Sequence, residues 1–496
     1  MKVVLIEPNS LQRLNTTQVG LSNVDINEPI GLCYISAYIK QHGHDCRVIH
    51  QLDKTNEQVL QTIIGYMPDV VGFSVFTYNY PNALNLARQV KKLYPRTHIV
   101  FGGVHASMDH SIVKESAIDY VVIGEGEKTF LELINSIQGG RKDKTSIAGI
   151  GLFDDKLGLI KTKTRARMTA DELDSLPFPD RSDLDMSKYK RYSLSYPPPS
   201  KQKHASISFG RGCKYSCSFC TSPKQWGNEY ISRSVENVLD EIEFLKKEYN
   251  INYLFIRDED FLIDQNKVAA FCEKLIEKDW NLGWYCHARV SDVSSPHGEV
   301  NNALLKLMKK AGCFEIVYGI ESGEFETLVK LNKQINLFQV RDALRATKKA
   351  GICSGCLFML GASWETTESL TATQEFARTL PYDRVRITFL TPFKGTPLYL
   401  QEASNIIETN DEFFTTEYPV LNSQLAQSEL LEFREQMYKR LYVRLPYLGN
   451  ALRQLFGQFS LLRSYTEWFI YLIKNLYFVK NHYCNNGGKG WLNLKS

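Results

Sequence analysis

Two blocks of alternating strand and helix patterns constrain the fold of this 496-residue chain more than any other feature of its sequence. In residues 1–140, short β-rich runs such as KVVLIEP and THIVFGG alternate with amphipathic segments such as YPNALNLARQVKKLYP. Strands that alternate with helices predict a parallel sheet with helices on both faces. The first block therefore predicts a doubly wound α/β domain, Rossmann-like or flavodoxin-like in its topology.

The second block covers residues 201–405 and repeats the alternation. Its β-rich runs are SISFGRG, YLFIRDED, GWYCHARV, FEIVYGIESG, GICSGCLFMLG and RVRITFLTPF, with amphipathic segments such as SVENVLDEIEFLKKEY between them. Six βα units fit a partial (β/α)6 barrel of the TIM type better than a closed eightfold one. In such barrels the chemistry lies at the carboxyl ends of the strands, and the polar residues of this block follow its strands.

Two further segments lack the alternation. Residues 141–200 are charged and polar and end in a proline-rich stretch. We therefore expect a linker that wraps around the neighbouring domains and does not form a folded unit of its own. Residues 406–496 contain ELLEFREQMYKRLYVRL and YTEWFIYLIKNLYFVK and predict a helical C-terminal domain. The aromatic and basic residues of this tail also suit a membrane-surface helix, but packing on a neighbouring domain is the commoner use of such a stripe.

Composition excludes several classes of function. The 59 basic and 55 acidic residues leave a net charge of +4, which is too small for nucleic-acid binding or a polybasic membrane surface. No run approaches the roughly 18 apolar residues of a membrane span, and MKVVLIEPNS resembles a buried first strand more than a signal peptide. The 11 cysteines favour metal ligands and buried thiols over a secreted disulfide framework. We expect a cytoplasmic protein with a small-molecule partner.

Small residues follow three strands of the first block. In open α/β sheets ligands bind outside the carboxyl ends of the strands, where glycine lets a backbone approach a bulky group. Any one of these small residues could equally well serve only to form a turn. Three such groups at one edge of the sheet nevertheless favour a ligand site. The groups are Ser74 and Thr77, then Gly102 and Gly103, then Gly124 and Gly126.

Three cysteines, Cys213, Cys217 and Cys220, stand in a C-x-x-x-C-x-x-C spacing. Thiolates are soft ligands that suit iron–sulfur clusters, and three of them can hold a cubane while its fourth iron stays open. A zinc site is the alternative, but zinc sites usually show a second C-x-x-C or Cys/His pair, and none lies near. The spacing favours a cluster with one open iron.

The loop SFGRGCKYSCSFC resembles the cluster loop of radical S-adenosylmethionine (radical SAM) enzymes, including the aromatic Phe219 before the last cysteine. The resemblance implies a 4Fe-4S cluster whose open iron is chelated by the amino and carboxylate groups of S-adenosylmethionine. Reductive cleavage would then yield methionine and a 5′-deoxyadenosyl radical. It also implies an electron donor such as flavodoxin or ferredoxin.

The resemblance to radical SAM enzymes continues through the barrel. RDEDF resembles the acidic motif that lies near the amino group of S-adenosylmethionine, and Arg289 matches the basic position that faces its carboxylate. YGIESG resembles the motif that faces the methionine and ribose portions, and GCLFMLGASWE resembles the segment beside the adenine. Singly, each could be a helix cap or an ordinary ion pair. TPFKGTPLY carries Lys394 where relatives more often have proline. The implied S-adenosylmethionine residues are Phe219, Asp258, Glu259, Arg289, Glu321, Ser322 and Gly361.

The first block resembles the cobalamin-binding domain that precedes the barrel in one branch of this superfamily. The matching stretches are EPIGLCYISAYIKQHGHDCRVI, VVGFSVFTYN, IVFGGVHAS and YVVIGEGEKTF. The D-x-H-x-x-G loop, whose histidine ligates cobalt in many methyltransferases, is absent after the first strand. We therefore expect a cobalamin whose lower face carries no protein histidine, with a structural or surface role for His42, His44, His50, His105 and His110. The implied cobalamin residues are Ser74, Thr77, Gly102, Gly103, His105, Gly124, Glu125 and Gly126.

The resemblance implies methyl transfer to an unactivated carbon or a phosphorus atom of a small molecule. Two alternatives stay open: an oxidoreductase resembling the anaerobic magnesium-protoporphyrin IX monomethyl ester cyclase, and a cobalamin or iron–sulfur sensor without turnover. Cys353 and Cys356 are candidate catalytic thiols, although a free cysteine is often simply buried. A barrel of this kind hosts many reactions, so the sequence does not name the substrate.

Overall fold

The computed structural model describes residues 1–10, 26–141, 143–190 and 202–442. Its first part is a seven-stranded sheet with strand order β2-β1-β3-β4-β5-β6-β7. The strands are β1 (Lys2–Glu7), β2 (Asp45–His50), β3 (Val70–Ser74), β4 (His98–Gly102), β5 (Tyr120–Val122), β6 (Ile150–Asp154) and β7 (Gly158–Lys161). The helices are α1 (Ile30–Gln41), α2 (Asn56–Tyr66), α3 (Tyr80–Leu93), α4 (Val104–Met108) and α5 (Gly126–Gln138).

The first five strands are parallel, and their order confirms the doubly wound prediction. Apolar residues fill β1 because both faces of the sheet are covered: Val4 and Ile6 pack into one hydrophobic core, and Val3 and Leu5 into the other. The carboxyl ends of β1, β3, β4 and β5 therefore meet at one edge, where the sequence places its small residues.

Strands β6 and β7 differ from the expected linker. They form an antiparallel hairpin that extends the sheet beside β5, with Val121 opposite Gly151. The Asp154 carboxylate accepts the backbone N–H groups of Lys156 and Leu157 at 2.8 and 2.9 Å, and so closes the turn. Residues 162–190 run along the molecule and include a short α-helix, α6 (Ala170–Asp174).

The second part is a six-stranded parallel sheet with the order expected of a partial barrel, β8-β11-β12-β13-β14-β15. A separate pair of short antiparallel strands, β9 and β10, adjoins it. The strands are β8 (His204–Ile207), β9 (Gly210–Arg211), β10 (Ile231–Ser232), β11 (Tyr253–Ile256), β12 (Gly283–Ala288), β13 (Cys313–Glu321), β14 (Cys353–Leu360) and β15 (Arg384–Phe389).

Helices cover the outside of this barrel and enclose its hydrophobic core. Side-chain caps start several of them; Asn336, for example, accepts the Gln339 N–H at 2.9 Å. The helices are α7 (Ser222–Trp226), α8 (Val235–Tyr249), α9 (Gln265–Lys278), α10 (Asn302–Lys310), α11 (Phe325–Lys330), α12 (Leu337–Lys349), α13 (Thr367–Thr379), α14 (Pro397–Gln401) and α15 (Gln427–Tyr442).

The C-terminal part packs on the last barrel strand. On α15 the hydroxyl of Tyr438 accepts the Ile387 N–H at 2.8 Å, and that of Tyr442 donates to the Val385 carbonyl oxygen at 2.8 Å. The helical prediction is thus confirmed for α15, whereas YTEWFIYLIKNLYFVK lies outside the described residues. In the described part of the chain no helix has both the length and the apolar character to cross a membrane.

Candidate active site

The cysteine loop joins β9 to α7. The Cys220 N–H donates to the Cys217 carbonyl oxygen at 3.1 Å, and the Ser222 N–H donates to Cys220 Sγ at 3.4 Å. Burial raises the pKa of Cys213 and Cys220 to about 11. Both groups are therefore thiols until a metal displaces their protons.

The surrounding barrel positions this loop. The Ser218 N–H donates to the carbonyl oxygen of Leu331, and its own carbonyl oxygen accepts the Leu398 N–H, at 3.0 and 2.9 Å. Phe219 is half-buried in the apolar cluster that contains both leucines. The predicted aromatic residue thus anchors the loop to the ends of α11 and α14, and its role toward S-adenosylmethionine stays a prediction.

Across the described ranges, no three His, Cys, Asp or Glu side chains are grouped so that they could hold one metal ion. A zinc ion needs its ligands around a single centre. An iron–sulfur cluster instead takes each thiolate on a different iron, so its ligands stand farther apart. Three thiols on one loop are compatible with such a cluster.

Arg289 reaches the cysteine loop from the end of β12. Its Nη1 donates to Cys217 Sγ at 3.2 Å, and its Nη2 donates to the Lys333 carbonyl oxygen. The guanidinium carbon lies 3.8 Å from the centre of the Tyr215 ring. These contacts fix the cation beside the cysteines, where it would offset thiolate charge. Its role toward the carboxylate of S-adenosylmethionine stays a prediction.

The two acidic residues predicted at the end of β11 have different surroundings. Asp258 is 1% exposed and accepts two backbone N–H groups of the β8–β9 turn, both at 2.8 Å, and the Tyr230 hydroxyl at 2.7 Å. Burial raises the Asp258 pKa to about 7. Glu259 is exposed and accepts the Gly212 N–H at 3.2 Å. Asp258 thus fastens the turn that leads to the cysteines, and Glu259 is the carboxylate that faces the open space.

Glu321 and Gly361 end β13 and β14 with left-handed backbone, at φ 72° and 82°. The Glu321 carboxylate accepts the Lys333 ammonium at 2.7 Å. Ser322 is buried and its hydroxyl bonds to that of Thr373 at 3.0 Å, which ties β13 to α13. Positive φ at a non-glycine residue also occurs at the ends of helices in this chain, as at Met67 and Asn250. The role of Glu321 toward S-adenosylmethionine therefore stays a prediction, and the Ser322 side chain has a structural partner.

A cavity of about 450 Å³ separates the first sheet from the barrel. The sheet side contributes the carboxyl ends of β1 to β5, and the barrel side contributes β9, β11 and α7. Across it, Arg211 of β9 bonds to Glu125 and Glu127 at 2.9 and 2.6 Å. Barrel residues that line it are Ser208, Gly210, Arg211, Gln225, Trp226, Arg257 and Glu259.

Most of the residues predicted for cobalamin line this cavity, but two do not. The Nδ1 of His105 lies 3.1 Å from the Thr77 hydroxyl, and neither residue reaches the cavity. Helix α4 begins directly after Gly103, and the His105 side chain is buried beside Thr77 rather than exposed in the cavity. Burial there lowers the His105 pKa to about 4, so the ring is neutral. The residues that do line the cavity are Ser74, Gly102, Gly103, Gly124, Glu125 and Gly126.

Comparison with known proteins gives a family for each of the two domains. Residues 19–134 match the B12 binding domain family, and residues 207–377 match the Radical SAM superfamily. The anaerobic magnesium-protoporphyrin IX monomethyl ester cyclase of Rubrivivax gelatinosus is 30% identical over 463 residues, which cover 90% of this chain and 78% of that protein. The chain belongs to the radical SAM enzymes that carry a B12-binding domain.

Other proteins share the plan of this radical SAM enzyme. An uncharacterized methyltransferase of Pyrococcus horikoshii is 28% identical over 90% of this chain and 93% of its own. The solved structure of OxsB with aqua-cobalamin and S-adenosylmethionine has a TM-score of 0.71 at 17% identity, covering 88% of this chain and 66% of that one. The TsrM methyltransferase of Kitasatospora setae has a TM-score of 0.62 at 20% identity, covering 81% and 74%. At these identities the two structures show the fold.

The cofactors of this radical SAM enzyme are a 4Fe-4S cluster, S-adenosylmethionine and cobalamin. The chain's own geometry fits cobalamin at the cavity. Gly31 and Gly124 line it, and a Cβ built on either glycine would meet no atom within 4 Å. The backbone is therefore open to a bulky ligand at both positions.

One described histidine of the radical SAM enzyme lines the cavity, His50 at the end of β2. Its Nδ1 lies 3.1 Å from the Tyr189 hydroxyl and its Nε2 lies 3.6 Å from the Glu7 carboxylate. Both ring nitrogens thus have protein partners. The absence of a protein histidine below cobalt stays a prediction, and this arrangement is compatible with it.

The two candidate thiols of β14 do not form a pair. Side chains alternate along a strand, so residues three positions apart point to opposite faces. Cys356 is 1% exposed and packs in the core between the strands and the outer helices, whereas Cys353 is half-buried on the other face. The two thiols therefore do not face one site, and Cys356 is a core residue, while a catalytic role for either cysteine stays a prediction.

Sequence reasoning missed three functional candidates. Arg211 lies inside the quoted loop, but nothing local indicates that it binds Glu125 and Glu127 of the other domain. Arg257 is the first residue of RDEDF, in which only the acidic residues were predicted to have a function. Lys333 holds Glu321 from a loop with no motif.

Proposed function

We propose that this radical SAM enzyme transfers a methyl group to an unactivated carbon, or to a phosphorus atom, of a small molecule. One observation carries the proposal: a single cavity is lined by the glycine-rich sheet edge and by both flanks of the cysteine loop. Gly210 and Arg211 precede the first cysteine, and Gln225 and Trp226 follow the last. A cofactor at each side would meet one substrate between them.

The protein residues have distinct parts in this proposal. Cobalamin would supply the methyl group, and the cluster with S-adenosylmethionine would supply the radical that takes a hydrogen atom from the substrate. Cys213, Cys217 and Cys220 would hold the cluster, while Arg289 offsets the charge of Cys217. The bridge from Arg211 to the first domain closes one side of the cavity, and a closed site protects a radical from side reactions.

The relatives support the same reaction type. The Pyrococcus relative is named a methyltransferase, and so is TsrM, which shares the fold. The proposal includes an external electron donor, such as flavodoxin or ferredoxin, because the cluster must be reduced before S-adenosylmethionine is cleaved. It keeps the cytoplasmic location that the cysteine usage favours.

A second candidate function is an oxidative cyclisation without methyl transfer. The observation that favours it is the 30% identity to the cyclase of Rubrivivax gelatinosus, which covers most of both chains. One fold can carry out either reaction, so the fold does not distinguish methyl transfer from cyclisation. The fate of the methyl group does.

The experiment uses S-adenosylmethionine with a deuterated methyl group and enzyme reconstituted with cluster and cobalamin under reducing conditions. We expect mass spectrometry to find the label in the extracted corrinoid, and in a product when extract of the host that lacks this gene is added. Label that stays in S-adenosylmethionine and methionine would reject methyl transfer and favour the cyclase-like reaction. Failure to form 5′-deoxyadenosine at all would favour a sensor.

A further inference from the structure

Aromatic side chains fill the lower part of the barrel lumen. Phe255 of β11 and Tyr285 of β12 are paired in register, and their rings stack with centres 4.4 Å apart and planes 4° from parallel. They are 6% and 1% exposed, and the Phe314 ring lies 6.0 Å from that of Tyr285. This floor leaves the space above it, toward the carboxyl ends of the strands, as the place for a substrate.

Arg257 and His287 lie directly above this floor. Each is two residues beyond a floor residue on its strand, so the alternation of side chains directs it into the lumen. The Arg257 guanidinium lies 5.7 Å from the centre of the Phe255 ring, and the His287 ring lies 5.2 Å from the same centre. Both residues are half-buried. Two groups that can carry positive charge therefore stand together on one ring.

The charges of the cavity are neutralised unevenly. Arg211 has two carboxylate partners there, Glu125 and Glu127. Arg257 lines the same cavity and donates from Nη1 to the Glu28 carbonyl oxygen at 3.2 Å, but it forms no salt bridge with any residue that the structure describes. The Glu28 carboxylate lies within electrostatic reach of Arg257 but is itself paired with Arg181. The half-buried Arg257 guanidinium therefore keeps donors that suit the carboxylate or phosphate oxygens of an anionic ligand.

We propose that the substrate carries an oxyanion, a carboxylate or a phosphate-type group, and that Arg257 binds it with the help of His287 above the aromatic floor. The inference rests on the proposed function, since it assigns the substrate to the space between the two cofactor sites. It adds the chemical class of the group that positions the substrate. Arg257 would be a specificity-determining residue, and Phe255 would support an apolar part beside the anion.

S-adenosylmethionine does not account for Arg257, because its carboxylate is assigned to the cluster, where Arg289 contacts Cys217. Cobalamin bears neutral amides around its corrin ring and one anionic phosphate in its nucleotide tail. Retention of cobalamin by Arg257→Gln distinguishes a substrate anion from that phosphate. An anion on the substrate is the ligand that matches the remaining charge.

Fluorine NMR of small probes tests this assignment without knowledge of the substrate. The probes are 4-fluorobenzoate, 4-fluorophenylphosphonate and the neutral 4-fluorobenzamide, each added to holoenzyme with an oxidised cluster, Co(II) cobalamin and saturating S-adenosylmethionine. Paramagnetic cobalt broadens the signal of a probe bound nearby. We expect at least one anion to bind about tenfold more tightly than the amide, as one charge-assisted contact allows. The two anions show which source of oxyanion the site prefers.

Variants define the residue responsible. Arg257→Gln should abolish the preference for the anion, and His287→Gln should reduce it by about threefold. Arg386→Gln is the matched control, because Arg386 is exposed and pairs with Glu417 at 2.9 Å. It should keep the preference unchanged.

Three outcomes would overturn the proposal: equal broadening by all probes, binding of the anion only when S-adenosylmethionine is omitted, or loss of cobalamin absorbance in Arg257→Gln. The two proposals fail separately. Charge preference without deuterium transfer would reject methyl transfer and keep the anion site. Deuterium transfer without charge preference would reject the anion site and keep methyl transfer.

Discussion

Besides the bridge from Arg211 across the cavity, two junctions between the domains differ in how deeply their charges are buried. At the inner junction, beside β8, Arg181 lies between Glu28 and Glu241, and all three side chains are 0% exposed. At the outer junction, beside β15, Lys394 bonds to Asp109 at 3.2 Å with side chains 34% and 22% exposed. Breaking a buried pair leaves an unpaired charge away from water, whereas a partly exposed pair is screened. The inner junction therefore contributes more than the outer one to holding the domains together.

Backbone contacts reinforce the inner junction. The Glu28 carboxylate accepts the Ser206 N–H at 3.0 Å, and Arg181 Nη2 donates to the Ser206 carbonyl oxygen at 2.7 Å. Burial raises the pKa of Glu28, while Arg181 opposes that shift. Because Glu28 also lines the cavity, the same contacts that join the domains set the shape of the site.

The largest expected effect comes from Arg181→Met. It leaves Glu28 buried without its cation, whereas Glu241 keeps Arg233 at 2.5 Å, so the free energy of unfolding should fall by about 3–5 kcal/mol. Urea denaturation of the protein measures this loss. The double variant Arg181→Met, Glu28→Gln should recover part of it, because the unpaired carboxylate is gone. A loss below about 1 kcal/mol in the single variant would show that the junctions do not differ in this way.

Arg211→Gln should have an intermediate effect. Glu125 and Glu127 would lose their shared partner beside the cavity, so we expect a loss of about 2 kcal/mol in the free energy of unfolding and weaker retention of cobalamin. Absorbance after gel filtration reports the cobalamin, and iron content should stay at the level of the parent protein. The control is Arg88→Gln, which breaks the exposed pair with Glu115. Equal losses in both variants would contradict a special role for the cavity bridge.

The smallest effect should come from Lys394→Met at the outer junction. Water screens this pair, so the free energy of unfolding should change by less than about 1 kcal/mol. Thermal unfolding of the variant beside Arg181→Met gives the comparison in one measurement. A loss as large as that of Arg181→Met would make the outer junction the stronger one.

Lys394 shows what the sequence can indicate about a residue and what only the structure can. In the sequence it is a departure within TPFKGTPLY that would alter a turn. The structure shows its ammonium bonded to Asp109, which lies in the first domain 285 positions away. The sequence shows that the residue is unusual, but the position of its partner depends on how the domains pack.

The strands of both sheets could be predicted because their signal is local. Buried parallel strands such as β1 are nearly continuous apolar runs, and helices between them carry apolar residues on one face. The hairpin of β6 and β7 escaped prediction because GLFDDKLGLIK is short, charged and antiparallel to its neighbour. Its strand character depends on β5, which offers Val121 and Val122 as partners.

The sequence by itself determined the cysteine loop, the order of the strands and the small residues at the sheet edge, because spacing and periodicity act over a few residues. Tertiary structure alone decided which charges meet across the cavity, that His105 is buried beside Thr77, and that Cys356 belongs to the core. It also brought Arg257 and His287 onto one aromatic ring. These facts depend on contacts between distant segments, whose energies arise only after both domains have folded and excluded water between them.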